Sequence, residues 1–495
     1  MKQIVILGIL LACTFVVGAS AQNHILEPEK MKQDIAVLKQ ALTTLHPGLY
    51  LYNTKEQFGK YFDDLEASVR VPADERKFYL LLSQLTARIK CGHTFPNPLN
   101  LDDDVAARLF AGRSLPLYFV VVDGRIIVTN NYSEDASIVR GDEIVAINGI
   151  KTSRIIEKLL SVSRGDGNNS IGKRLSNLNV IPGEDYGHSL FDIYFPLFFP
   201  ASGERFALRI KHSNGKIVSA SVRGVSADQR KAAFEKEFGP IAKSEQTWAA
   251  RTLNDSTAYL KFGTFSFWNS NYDWKTDIAN KFRDIRSKQG IKNLIIDIRG
   301  NEGGNGEIRD LILSYITPKQ IRGEYDAKLC YRSLNVPDSL LPHLTTWDKH
   351  FKDPKDPGKY FMNEIGLYEK KDAEASEPIF PAPDRFAGQV YLLTDAINSS
   401  STFDMAWAFQ ANKLGIIIGE PTGGTKQGLN GGQMFFLTLP NSKFEIDLPI
   451  QHYYHKGYPD EGVIPEYVVR TSPDDIRDKR DRQMEFALQL IASKH

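Results

Sequence analysis

Met31, Ile35, Leu38 and Leu42 stand three or four residues apart with Lys and Gln in the gaps, a period that predicts helix. Residues 26–70 read as helical on this pattern, with Pro47-Gly48 as a break. A second helix is predicted over 54–69. A third is predicted over 75–89, ending at Lys90-Cys91-Gly92-His93. After Leu115 the period shortens to β-like runs at 117–122, 125–129 and 143–147. Asp123-Gly124 and Asn148-Gly149 are turn signals beside them. The stretch 165–190, rich in Gly, Asn and Asp, reads as a long loop before strands at 206–211 and 216–222.

From about residue 245 strands alternate with helices. Strand 258–262 precedes a helix over 272–289. Residues 293–298 form a continuous apolar run between turn residues, as expected of a buried parallel strand. A helix from about 307, a strand at 389–394, a helix at about 401–413 and a strand at 415–418 follow. This alternation predicts an α/β sheet covered on both faces. Segment 335–387, with many Pro, Asp and Lys, reads as an insertion, and a charged helix at about 473–493 closes the chain.

A length of 495 residues suggests two to four domains. With 42% hydrophobic and 24% charged residues, the chain is neither wholly disordered nor collagen-like. Its 61 basic and 60 acidic side chains leave no basic excess, so no nucleic-acid partner is expected. Three cysteines are too few for a disulfide scaffold. Residues 1–21 read as a signal peptide: Lys2, an apolar stretch to Val17, then Ala19-Ser20-Ala21 as the cleavage site. A lipid anchor at Cys13 is the less favoured reading, because the apolar run continues past it. The expected location is therefore periplasmic or extracellular, with Cys91 and Cys330 retained and free to pair or not.

Four segments carry candidate chemistry. Residues 297–306 run from a buried strand into a glycine-rich turn and a helix. Glycine there permits positive φ and close backbone approach, and N–H groups at the helix start bind anions. Residues 394–404 place Ser399, Ser400 and Ser401 where a strand end meets a helix start. A serine there is either a nucleophile beside an oxyanion-stabilising helix end or an N-cap. Residues 419–428 nearly match a phosphate-binding loop, but Thr425 stands between the glycines and Lys426, so a nucleotide is not expected. The fourth segment is Cys91-Gly92-His93-Thr94. No HExxH or CxxC pattern occurs, and no metal or cofactor is expected.

In this order and spacing the segments resemble the tail-specific (C-terminal-processing) serine peptidase family. AYLKFGTF at 258–265 resembles its strand before the core, and LIIDIRGNEGG at 294–304 its "IDLRxNxGG" strand and turn. STFD at 401–404 occupies the place of its "SASE" motif, GEPTG at 419–423 that of "GExTxG", and GVIPE at 462–466 that of "GVxPD". GDEIVAING at 141–149 is close to the "GDxIxxING" segment of its PDZ domain. The resemblance implies a helical N-terminal domain at 22–112 and a PDZ-like β-rich domain at 113–225. It implies an α/β protease core of the ClpP/crotonase-like kind at 245–495, with the insertion near 335–387.

The resemblance also implies roles. Ser401 is the expected nucleophile. The base is His93, in a "GHT"-like segment, or Lys426, 25 residues after Ser401 as in Ser–Lys members; His93 is preferred. Asp460 or Glu461, just before Gly462, orients the base. Backbone N–H groups of Gly303, Gly304 and Thr402 form the oxyanion hole. The expected activity is that of a secreted serine endopeptidase acting through an acyl-enzyme. Its substrate is a protein or peptide bound by its C-terminus as an added strand. A non-catalytic binding protein or ligand carrier on the same fold is the competing reading.

Overall fold

The computed structural model describes residues 24–110, 112–183, 189–200, 203–268, 270–322, 327–371 and 377–493; the expected signal segment 1–21 and Cys13 lie outside them. Three amphipathic helices open the fold: α1 (Pro28–Leu45), α2 (Lys55–Ser68) and α3 (Glu75–Ala87). Thr54 and Gln57 start α2 with a reciprocal capping box. The predicted stripe is the buried one: Met31, Ile35, Leu38 and Leu42 are all enclosed.

An antiparallel sheet follows, in the order β1 (Leu117–Val122), β2 (Arg125–Asn131), β3 (Glu143–Ile147), β4 (Arg205–Lys211), β5 (Ile217–Arg223). The segment 165–190, expected as loop, contains a short helix, α4 (Ile171–Ser176). Six residues are too few to show a hydrophobic period, which is why the pattern missed it.

The second sheet is the α/β core. Its order is β11 (Tyr467–Val468), β10 (Ile416–Gly419), β9 (Gln389–Thr394), β8 (Asn293–Asp297), β7 (Thr257–Phe262), β6 (Trp248–Asn254). Strands β7 to β11 are parallel and β6 is an antiparallel edge. Helices α5 (Trp274–Ser287), α6 (Gly306–Ser314) and α7 (Ser401–Ala411) cover one face. Helix α8 (Arg482–Ser493) covers the other through Ala487 and Ile491. The expected closing helix is in fact two, Pro473–Arg477 and α8. The residues between them are charged, with nothing apolar to bury.

The stretch 335–387 is stitched into the molecule. Tyr360–Met362 and Tyr368–Lys370 join a five-stranded sheet with Lys328–Tyr331, His452–Tyr454 and Gly428–Asn430. The hairpin Met434–Thr438/Glu445–Pro449 packs its Phe435, Leu437, Ile446 and Leu448 against the N-terminal helices, in one continuous core with them and the antiparallel sheet. Cys91 and Cys330 are both buried free thiols. No helix among the described residues is long and apolar enough to cross a membrane.

Candidate active site

Two loops at the carboxyl ends of neighbouring parallel strands build the centre of the site. The first follows β8 and turns through Gly300, Gly303 and Gly304, all with positive φ. A Cβ on Gly303 would lie 2.7 Å from Ser399 O and 2.8 Å from Ser400 Cβ. One on Gly304 would lie 2.4 Å from Phe265 backbone. Glycine is required at both positions by contact as well as by torsion. The second loop follows β9 and carries the three serines. Asn398 Nδ2 donates to Ile298 O (2.5 Å) and Asn301 O (3.0 Å), and Thr402 Oγ1 donates to Asn301 O (2.9 Å). The loops are thereby locked together.

The serines differ sharply. Ser399 is buried; its Oγ donates to Glu302 O (3.1 Å) and accepts from Lys173 Nζ. Ser401 is 5% exposed, and its Oγ donates to Gly304 O (3.1 Å). Ser400 is half-buried, makes no side-chain hydrogen bond among the described residues and has φ 52°, ψ −134°. Such torsions cost a residue with a side chain ~1–3 kcal/mol and concentrate at functional sites. A strained residue on a strand-to-helix turn is also how a nucleophilic serine presents its Oγ. Three adjacent serines are indistinguishable as a pattern; backbone torsion and hydrogen bonding separate them.

Of the expected oxyanion donors, Gly303 N–H donates to Asn301 Oδ1 (2.8 Å) and Thr402 N–H to Ser399 O (3.2 Å). Gly304 N–H has no hydrogen-bond partner among the described residues, and neither has Ser401 N–H at the start of α7.

His93 follows the end of α3, where Lys90 turns the chain with φ 61°. The segment after it pairs with the core hairpin: Asn97 N–H donates to Glu445 O and Asp447 N–H to Phe95 O, each at 3.0 Å. The loop 164–167 clamps it from the other side. Gly92 N–H donates to Asp166 Oδ1 (2.7 Å), and Arg164 Nη1 donates to Gly92 O (2.9 Å). The His93 ring is half-buried and its Nδ1 is enclosed without a partner. Burial holds the imidazole below its ordinary value; the Asp166 carboxylate opposes this, while Arg164 and Lys173 reinforce it. A neutral imidazole is the form that accepts a proton.

Lys426 and Glu461 are bound to each other: Nζ to Oε1 at 3.2 Å, and Lys426 N–H to Glu461 O at 2.8 Å. Asp460 accepts from Asn168 N–H (2.8 Å) and Nδ2 (3.1 Å). Neither acid bonds to His93. Pattern reading did not find Asp166 and Lys173, both in the stretch read as loop, nor single out Ser400. Asp166 is 4% exposed; one oxygen holds Gly92 N–H, while Oδ2 has no partner. Lys173 is buried on α4, with Nζ 3.8 Å from Glu302 Oε2, and burial lowers its affinity for the proton. Arg164 lies 3.5 Å from the same carboxylate. Lys173 and Glu302 thus connect the electrostatic surroundings of His93 to the serine loop.

Residues 256–469, the stretch with this strand order and both loops, match Peptidase family S41. No curated protein matches the chain. Mature CPAF is similar in fold at 15% identity and TM-score 0.59, over 93% of this chain and 95% of that one. Mature CPAF complexed with lactacystin aligns with TM-score 0.58 at 15% identity, over 94% and 97%. The chain thus carries a Peptidase family S41 domain and is a serine-type peptidase.

Proposed function

We propose that the protein is an exported serine endopeptidase that cleaves peptide bonds through an acyl-enzyme, with Ser400 rather than Ser401 as nucleophile. The observation that carries this is the strained, unbonded Ser400 beside two free backbone donors. With Ser400 attacking, the N–H of the following residue, Ser401, and that of Gly304 face the developing oxyanion. With Ser401 attacking, the corresponding N–H is Thr402's, already held by Ser399 O. Ser401 Oγ is held likewise, by Gly304 O.

Ser400 Oγ attacks the scissile carbonyl carbon and its proton passes to His93. The tetrahedral intermediate collapses as His93 returns that proton to the leaving amine. Water then repeats the sequence on the ester. Asp166 orients the imidazole: its unpartnered oxygen and the enclosed Nδ1 are in the same buried cluster. The Ser400–His93 hydrogen bond forms as substrate closes the site, as catalytic bonds often do. The ion pair with Glu461 leaves Lys426 a structural part. The sheet β1–β5 acts as the PDZ-like module. A peptide C-terminus adds at its edge β5, which pairs only with β4 among the described residues.

The test is hydrolysis of unfolded casein, together with labelling by a serine-reactive phosphonate and peptide mapping. Ser400→Ala abolishes both, a loss on the order of 10⁴-fold or more; Ser401→Ala keeps the label on Ser400. A label mapping to Ser401 restores the spacing-based choice. Absence of any label on a folded protein favours a ligand-binding role for the same fold.

A further inference from the structure

Cys91, His93 and Asp166 each bring a ligand atom to one place, all within 4.8 Å of one another. Cys91 and His93 stand two residues apart and Asp166 more than seventy residues later, a spacing that matches no metal motif. Two features set the cluster apart from chance proximity. Asp166 is 4% exposed and its Oδ2 has no partner; His93 Nδ1 is enclosed and has none either. A buried carboxylate oxygen and a buried ring nitrogen left unpaired are costly. The buried Cys91 sulfur stands beside them as a third donor atom. A divalent cation resolves all three: it binds the carboxylate, takes the nitrogen lone pair and displaces the thiol proton to solvent.

We propose that Cys91, His93 and Asp166 form a zinc site that switches the peptidase off reversibly. Thiolate, imidazole and carboxylate are the donor set zinc prefers, at ~2.3 Å to sulfur and ~2.0–2.2 Å to nitrogen and oxygen. In a tetrahedron these bonds set the donors ~3.3–3.7 Å apart, so from separations of at most 4.8 Å the side chains draw together by no more than about 1.5 Å. Three protein ligands leave the fourth position to water. The ion enters past the half-buried His93 ring. The binding site stands on geometry alone; its inhibitory effect rests on His93 being the base, because an imidazole bound to zinc no longer accepts the serine proton.

The experiment titrates the purified protein with Co²⁺ as a spectroscopic stand-in, then with Zn²⁺, and follows casein hydrolysis in parallel. The expected result is a thiolate-to-cobalt charge-transfer band at one ion per chain, displaced by zinc, with activity lost on zinc addition and restored by chelator. Cys91→Ser loses the band and most of the zinc sensitivity while keeping metal-free activity; Cys330→Ser keeps both. Cys91→Ala serves if the serine variant misfolds, as judged by circular dichroism. No band in the unaltered protein, or a band and inhibition undiminished in both Cys91 variants, overturns the site. A band that depends on Cys91, with zinc bound and hydrolysis unaffected, retains the site and instead counts against His93 as base.

Discussion

At the scale of single residues, the site depends on close approach. A Cβ on Gly303 would crowd Ser399 O and Ser400 Cβ at distances no side chain tolerates and lie 3.0 Å from Ser401 N, and its φ is 108°. Gly303→Ala therefore displaces the turn that carries the Gly304 N–H. Losing one oxyanion donor costs ~10²–10³ in kcat. That loss, with KM little changed and the fold retained by circular dichroism, is the expected outcome in steady-state kinetics; a near-normal kcat would falsify the assigned geometry.

Asp447 gives a separate, titratable handle. Burial raises its carboxyl from 3.8 to about 7, with Arg164 and Asn97 opposing. Between those values the folded state holds a proton that the unfolded chain has released. Stability therefore falls as pH rises from about 4 to about 7, and levels off above. Asp447→Asn removes this slope. Its melting temperature should change less between pH 5 and pH 8 than that of the unaltered protein, with other groups contributing equally to both. Parallel curves would mean that Asp447 ionises normally.

At the scale of elements, what was legible follows from how local the signal is. The stripe of α1 was readable because its period repeats over 18 residues, and β8 because its apolar run is unbroken between turn residues. The two loops of the candidate site were readable through their glycines and serines. Asp166 and Lys173 were not: they lie in an irregular stretch, and their importance comes from contacts with Gly92 and Ser399 more than seventy residues away. Ser400 was hidden for the opposite reason, its neighbours being chemically identical.

Helix α4 then has an argued role. It is short and lacks a side-chain cap, yet it delivers a buried ammonium to Ser399 and Glu302. Lys173→Met removes that tether but keeps the packing of the stem. Because Glu302 retains Arg164 and is partly exposed, the stability cost is modest, ~1 kcal/mol. The expected effect on hydrolysis is larger, a fall in kcat of about tenfold for ~1.4 kcal/mol of lost positioning at the transition state. An unchanged kcat would make α4 a packing element only.

At the scale of the whole molecule, the peptidase-family segment does not own all of its core. Phe435, Leu437, Phe444, Ile446 and Leu448 belong to it in sequence, yet they are buried in the cluster formed by α1, α2, α3 and the antiparallel sheet. Phe444 meets Phe78 and Tyr79 at ring-centroid distances of 6.1 and 5.3 Å. Asp34 on α1 accepts from Asn441 N–H and Ser442 N–H, each at 2.8 Å. Burial of a large apolar side chain contributes ~1.5–3 kcal/mol, so exposing these five puts roughly 7–15 kcal/mol at stake, as much as a domain's whole stability. Residues 245–493 expressed alone should therefore lack a cooperative thermal transition and bind the dye ANS, even though β6 to β11 are all present. The same excision removes His93, so the order of assembly matters: the proposed base is carried by the N-terminal region, and the strand holding its segment, Glu445–Pro449, by the core. Adding residues 24–225 in trans should restore both the transition and casein hydrolysis together. Recovery of the transition without hydrolysis would separate folding from active-site assembly and show that the covalent connection between the two regions sets the position of His93.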